Sequence, residues 1–457
     1  MKKYNTAILS NGLRIIHLPS TSPVVYCGIA IAAGSRHELA GEEGVAHFCE
    51  HMSFKGTRRR SAIQILNCLE SVGGDLNAFT NKEDTTFYAA IQKAHFPRAV
   101  DLLTDIVFSS QYPQHEVEHE VDVICDEIES YNDSPAELIY DVFENQLFKG
   151  HPLGHNILGT REQVQQFTSQ HAFRFTNRHY RPDNAIFFAY GDIDFTRLVK
   201  RLEGGGLKAE GGGLKAEGGG LKAEGGGLKA EGGGLKAEGG GLKAEGGGQK
   251  AEGGGLKAEG GEQSAEREAE TTAAANSTLY TLHSNHHQAH VMLGCQSFSY
   301  DDPRRMPLFL LNNILGGPGM NARLNLKLRE QHGLVYTVES SMASYSDTGV
   351  WSVYFGCDHH DVKRCVRLVN RELDRMMQTP LSDRQLTAAK RQLKGQLTIA
   401  ADNREQFALD MAKHFLHYGK ERSLDELIAQ IDAITASQLQ DVAQRLFAPE
   451  HMQQLIL

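Results

Sequence analysis

Between Gly204 and Glu259 the unit Gly-Gly-Gly-Leu-Lys-Ala-Glu recurs eight times, with Gln249 replacing Leu once. A stretch of this composition divides the chain. Leu at every seventh position imitates a coiled-coil heptad, but each Gly costs about 1 kcal/mol in a helix interior, and three per unit outweigh one Leu and one Lys–Glu pair. The unit is charge-neutral, and the expectation is a flexible linker. A coil of this length spans on the order of 40 Å on average. A Glu/Ala/Thr-rich stretch carries the linker on to residue 277. Three regions follow: residues 1–203, the linker 204–277, and residues 278–457. The repeat also holds 24 of the 47 glycines, so the flanks are not glycine-rich.

The two flanks read alike. In the first, Ser10-Asn11-Gly12-Leu13 is a strong hairpin turn. Strands are expected near 24–33, 74–80 and 84–91, and helices near 43–54, 60–71, 96–108, 113–131 and 134–148. The second flank predicts strands near 278–283, 289–296, 335–343 and 349–356. Its helices are expected near 304–315, 361–378, 381–400, 403–417 and 435–446. Strands and helices in separate blocks indicate an α+β fold, each half a largely antiparallel sheet with helices on one face.

The chemistry centres on His47-Phe48-Cys49-Glu50-His51. On a helix, positions i and i+4 share a face, so His47 and His51 can offer two imidazoles to one metal ion. Glu50 can hold a water beside it. The order is that of the inverted zinc hydrolases, His-x-x-Glu-His. A catalytic zinc takes three protein ligands and keeps a fourth position for water, so a third ligand must come from elsewhere. Val45, Phe48 and Met52 form an apolar stripe that would seat the helix rigidly. Cys49 reads as a small buried filler rather than a ligand.

A second candidate lies further on. His115-Glu116-Val117-Glu118-His119 fits both His-Glu-x-x-His and His-x-x-Glu-His, with Glu137 and Glu144 at plausible spacing for a third ligand. Its setting is acidic, with Glu116, Glu118 and Glu120 just after Pro113, as in the first turns of an exposed helix. The bland reading of His115 and His119 is solvated surface. In the same segment Val117, Val121, Ile124 and Ile128 recur at helical spacing. Glu120 and Glu127 are two turns apart and share a face. That helix can present one carboxylate to a metal and another behind it, where it orients a ligating His.

With these residues in place, the chain resembles the pitrilysin/insulinase family of zinc metallopeptidases. The family pattern is His-x-x-Glu-His, a ligand Glu about 76 residues later, and a further Glu seven before that. Glu127 lies 76 residues after His51, and Glu120 seven before Glu127. The match extends through Gly73–Thr80, Thr85–Tyr88, Gly316–Leu324 and Arg329–Tyr336, and covers nearly everything outside the repeat. One departure is Ala322, where the family often has Ser. The resemblance is to the short, two-domain type typified by mitochondrial processing peptidase and its bacterial homologues. It implies His47, His51 and Glu127 as ligands of one Zn²⁺ per chain, Glu50 as general base and Glu120 as supporting carboxylate. It further implies two homologous domains facing each other like a clamshell. Arg329 resembles the family residue that binds substrate carbonyls, and Tyr336 the one that hydrogen-bonds the oxyanion. Read alone, they would be an ordinary surface Arg and a half-buried strand Tyr.

The segment Leu76–Thr80 looks like an edge strand to which an extended peptide substrate can add, with Asn77 and Ala78 in the family's substrate-binding positions. Main-chain pairing implies weak sequence specificity and a preference for unfolded peptides. The short members enclose substrate between two subunits. A homodimer with sites built in trans is expected here, or a heterodimer with a related chain. The family also contains non-catalytic assembly subunits, the principal rival reading. Net charge −10 argues against a nucleic-acid partner. No run of about 18 apolar residues suggests a membrane span. The start, Met1-Lys2-Lys3-Tyr4, leads into no apolar signal region. Seven scattered cysteines suit a reducing compartment, so a cytoplasmic location is expected.

Overall fold

The computed structural model describes residues 4–204, 270–274, 277–281, 288–421 and 423–457. The repeat, and with it nearly all of the expected linker, lies outside the described residues.

The first half builds a six-stranded sheet. Its strands are β1 (Asn5–Ile8), β2 (Arg14–Pro19), β3 (Val24–Ile31), β4 (Asp75–Thr80), β5 (Thr85–Gln92) and β6 (Ala185–Gly191). They lie in the order β1-β2-β6-β3-β5-β4, antiparallel except for the β2–β6 pair. Gly12, at φ +90°, turns the first hairpin, as Asn-Gly predicts. The second sheet comprises β7 (Glu270–Ala274), β8 (Ser277–Thr281), β9 (Ala289–Ser297), β10 (Val335–Ser344), β11 (Gly349–Cys357) and β12 (Gln453–Ile456). Its order is β7-β8-β12-β9-β11-β10, with only β8 and β12 parallel. Strand for strand the wiring is the same, and the two domains are homologous in topology. The edge strand β4 of the first corresponds to β10 of the second.

Helices cover one face of the first sheet: α1 (Val45–Met52), α2 (Ala62–Glu70), α3 (Phe96–Phe108) and α4 (Gln114–Asn132). After α5 (Pro135–Leu147) and the short α6 (Arg161–Val164), α7 (Ser169–His179) and α8 (Phe195–Gly204) join this layer. The second half has α9 (Arg305–Gly316), α10 (Val362–Gln378), α11 (Asp383–Ala400), α12 (Arg404–Tyr418), α13 (Leu424–Ala433) and α14 (Ala436–Leu446). Among the described residues no helix is long and apolar enough to cross a membrane.

Two helices change sides. Phe407, Met411 and Phe415 of α12 pack on Ile16, Leu18, Ile186 and Phe188, the other face of the first sheet. Reciprocally, Leu138, Ile139 and Phe143 of α5 pack on Met292, Tyr354 and Leu455 of the second. Each domain's own helices keep to one face, as predicted. The opposite face is closed by a helix from the other half. Each large apolar side chain so buried contributes about 1.5–3 kcal/mol, which ties the two halves into one body.

Some elements escape the sequence pattern. All seven residues of β6 are buried, so the strand shows no alternation to read. β12 is four residues long and takes its register only from its two neighbours. Helices α7, α8 and α13 are likewise additional to the predicted set.

Candidate metal centre

The mount for the first motif is built before the helix begins. Gly44, the residue preceding α1, has φ +96°, and a Cβ there would come within 2.6 Å of the Leu158 carbonyl. Glu38 then supplies what the helix start lacks. Its carboxylate accepts the backbone N–H of Gly44 at 3.0 Å and of Ala46 at 2.8 Å. His155 Nε2 holds the same carboxylate at 2.9 Å. Burial pushes the Glu38 carboxyl above its ordinary range, and these hydrogen bonds work against that rise. Val45, Phe48, Cys49 and Met52 are wholly buried beneath α1, as the stripe predicts. Burial pushes the Cys49 thiol well up.

The same helix carries His47, buried, and His51, half-buried, their rings 4.5 Å apart and edge to face. Burial lowers His47 to about 3, with His51 adding to the effect, so its imidazole is neutral at pH 7. Helix α4 runs past and presents Glu127. Its Oε2 lies 3.5 Å from His51 Nε2 and 3.8 Å from His47 Nε2. The ligand atoms of His47, His51 and Glu127 all lie within 4.8 Å of one another. A tetrahedral zinc with bonds near 2.1 Å would separate its ligand atoms by about 3.4 Å, so this set fits the ion with little movement. His47 Nδ1 is buried and has no hydrogen-bond partner.

Two turns earlier on α4, Glu120 takes the place behind His51, its Oε1 2.9 Å from Nδ1. Lys55 Nζ pairs with the other Glu120 oxygen. Burial raises the Glu120 carboxyl, but the bonds from His51 and Lys55 outweigh it and the net shift is downward. For His51, burial disfavours the proton, while Glu120, Glu50 and Glu127 together overcome it and raise the pKa. Glu50 is 8% exposed, and Thr80 Oγ1 donates to its Oε2 at 2.6 Å. Burial dominates and lifts the Glu50 carboxyl, against the Thr80 hydrogen bond.

The structure thus brings together His47, Glu50, His51, Glu120 and Glu127. His115 and His119 are exposed on α4 and join no metal-capable group among the described residues. Glu144 is occupied elsewhere, accepting from the Tyr345 hydroxyl at 2.9 Å. Another metal-capable trio, Asp358, His360 and Asp361, lies on the solvent-facing turn before α10 and has no packed mount. Asn77 and Ala78 lie on β4, the free edge of the first sheet, opposite Tyr88 and Phe87. Arg329 and Tyr336 line one cavity of about 560 Å³ with the Gly316-Gly317-Pro318-Gly319 loop. Neither hydrogen-bonds nor ion-pairs with the metal group. Tyr336 is 82% exposed, far more than the half-buried strand Tyr of the bland reading.

Thr80, Lys55, Glu38 and His155 are supporting residues that the sequence reading missed. Lys55 had a signal, since it sits four residues after His51. Thr80 lay inside a recognised segment without a role. Glu38 and His155 carry no local periodicity and meet α1 only in three dimensions.

Comparison with known proteins places the chain in a family. Residues 14–161 match the family profile "Insulinase (Peptidase family M16)", and residues 244–393 match "Peptidase M16 inactive domain". An uncharacterised zinc protease of Streptomyces coelicolor is 30% identical over 437 residues, spanning 95% of this chain and 85% of that protein. One from Bacillus subtilis is 29% identical, over 98% of this chain and 96% of its own length. Among solved structures, a protease from Helicobacter pylori superposes with a TM-score of 0.82 over 100% of both chains at 19% identity. A peptidase M16 inactive domain structure from Pseudomonas fluorescens gives 0.78, covering 99% of this chain and 97% of that one at 16% identity. At these identities the structural likeness speaks for the fold.

Proposed function

The chain belongs to the insulinase (M16) family of peptidases, and from that premise we propose that it is a zinc-dependent endopeptidase acting on unfolded peptides. The observation that carries the reading is the convergence of His47, His51 and Glu127 beside a Glu50 held by Thr80. Zinc bound by those three ligands, one ion per chain, would acidify a water and polarise the scissile carbonyl. Neutral His47 offers a lone pair, and His51 is turned to do the same by Glu120.

Glu50 takes a proton from the attacking water as the carbon–oxygen bond forms. It returns that proton to the amine nitrogen as the carbon–nitrogen bond breaks, and ends unchanged. The edge strand β4 aligns an extended peptide by main-chain pairing through Asn77 and Ala78. Arg329 and Tyr336 serve as substrate contacts, Arg329 toward carbonyl groups and the Tyr336 hydroxyl toward the oxygen that gains charge. Among the described residues neither makes a hydrogen bond or ion pair to the metal group, and this and the exposure of Tyr336 favour a dimer in which one protomer's pair completes its partner's site around an enclosed chamber. Seven free cysteines suit a cytoplasmic setting.

The test is zinc content and peptide digestion by the purified chain. Glu50→Gln should keep zinc and lose hydrolysis. A wild-type chain that binds zinc yet cleaves no peptide would instead favour a non-catalytic assembly subunit. Mixing Glu50→Gln with Tyr336→Phe chains examines the trans arrangement. Recovery of activity over either variant supports it, and no recovery speaks against it.

A further inference from the structure

Thr80, the last residue of β4, holds Glu50 Oε2 at 2.6 Å. Among the described residues it is the one side chain that hydrogen-bonds this carboxylate. The turn that follows is unusual. A tight β-turn normally exposes its charges, yet Lys82, Glu83 and Asp84 are 4%, 6% and 2% exposed. Each is held by a different part of the molecule. Lys82 Nζ donates to the His155 carbonyl. Glu83 accepts from Arg36 at 2.6 Å, and from the Ser346 hydroxyl at 2.6 Å and its backbone N–H at 3.1 Å. Asp84 faces Lys413 Nζ at 3.3 Å and His417 Nε2 at 3.4 Å.

Ser346 lies in the β10–β11 turn of the second domain, and Lys413 and His417 lie on the exchanged helix α12. The position of the β4–β5 turn is therefore fixed jointly, by Arg36, His155 and the Ser35 and Arg36 backbone N–H groups of the first domain and by Ser346, Lys413 and His417 of the second. Thr80 is two residues from Lys82, at the point where β4 enters the turn. β4 cannot shift along its axis without breaking buried charged contacts at one end and the Glu50 hydrogen bond at the other.

We infer that Thr80 is a positioning residue for Glu50, and that the second domain helps to set its place through the Glu83–Asp84 part of the turn. The inference rests on the peptidase reading above and adds to it a role for the second domain in cis, separate from the Arg329/Tyr336 pair. β4 is also the strand offered to substrate. The same rigid segment would fix the peptide at Asn77 and Ala78 and the base at Thr80, so that both are held in one frame.

The experiment compares wild type with Thr80→Val, Thr80→Ser, Ser346→Ala and the Thr80→Val/Ser346→Ala double variant. Each is followed by zinc content, kcat, KM and a crystal structure. Thr80→Val should lower kcat by about tenfold to a hundredfold, the cost of a misplacement near 1 Å, with KM and zinc content unchanged. Thr80→Ser should restore it. Ser346→Ala should lower kcat more mildly, and the double variant should be no slower than Thr80→Val alone, because both act on one contact. In the crystals the Glu50 carboxylate should keep one orientation in wild type and Thr80→Ser, and lose it in Thr80→Val. An unmoved Glu50 in Thr80→Val, zinc lost in parallel with kcat, or independent effects in the double variant would each overturn the inference. The crystallographic arm needs no activity. A wild type without hydrolysis but with Thr80-dependent Glu50 order would sink the peptidase reading and leave the positioning role standing.

Discussion

Glu120 Oε1 lies 2.9 Å from Nδ1 of His51. A carboxylate can only accept, so Nδ1 carries a proton, and Nε2 is the nitrogen that faces Glu127. One hydrogen bond thus leaves Nε2 of His51 as the nitrogen for a metal, while Lys55 pairs with the far oxygen of Glu120.

Removing that support should weaken the metal site without dismantling it. Glu120→Ala is expected to lower zinc affinity by about 10- to 100-fold. Competition with a chromophoric chelator reads the change directly. An affinity equal to wild type would mean that packing alone orients His51.

The two His pairs should behave oppositely. His51→Ala is expected to abolish stoichiometric zinc binding. His119→Ala, an exposed change on α4, should leave zinc content intact and stability within about 0.5 kcal/mol. Loss of zinc only in the second variant would move the metal centre to the other motif.

Glu38 should matter more as an acceptor than as a charge. Glu38→Ala strands the N–H groups of Gly44 and Ala46 at the head of α1. It should cost about 1–3 kcal/mol of stability and loosen zinc binding, while Glu38→Gln keeps an acceptor and loses less. Denaturant melts on both variants decide the ordering.

Acid should reach Asp84 late, below the range of an ordinary carboxylate. Burial raises its carboxyl, but His417, Lys413 and Asn81 outweigh this and hold it below the ordinary 3.8. The unfolded chain then binds the proton more readily than the folded one. Asp84 therefore contributes stability that is fully present above about pH 4 and is lost as pH falls through the folded value. Urea midpoints taken from about pH 5 to about pH 2 should drop less steeply in Asp84→Asn than in wild type. Parallel curves would show that Asp84 does not drive the acid loss.

The exchanged helices make a prediction about cooperativity. Phe143→Ala on α5 removes a fully buried ring from the second sheet and should cost about 3–5 kcal/mol. The sole tryptophan, Trp351, is buried in that sheet and reports its unfolding. Its fluorescence midpoint should fall together with the far-ultraviolet signal, which reports the helices of both domains. A Trp351 midpoint untouched by Phe143→Ala would contradict the interlock.

Sequence spacing alone determined the ligand pair on α1, the carboxylates two turns apart on α4, and most of both sheets. These are local properties: a helix places i and i+4 together wherever it sits, and Val117, Val121, Ile124 and Ile128 declare the buried side of α4 without reference to anything else. The tertiary structure decided the rest. The resemblance implied His47 and His51 rather than His115 and His119, and packing brings Glu127 to within 3.8 Å of both rings. Only packing placed Glu38 at the head of α1, Thr80 against Glu50, and α5 and α12 on the opposite domain's sheet. An apolar stripe says that a helix must be covered, not by what. A carboxylate far along the chain finds its partner through the fold, because the contacts that fix it are long-range and leave no period in the sequence.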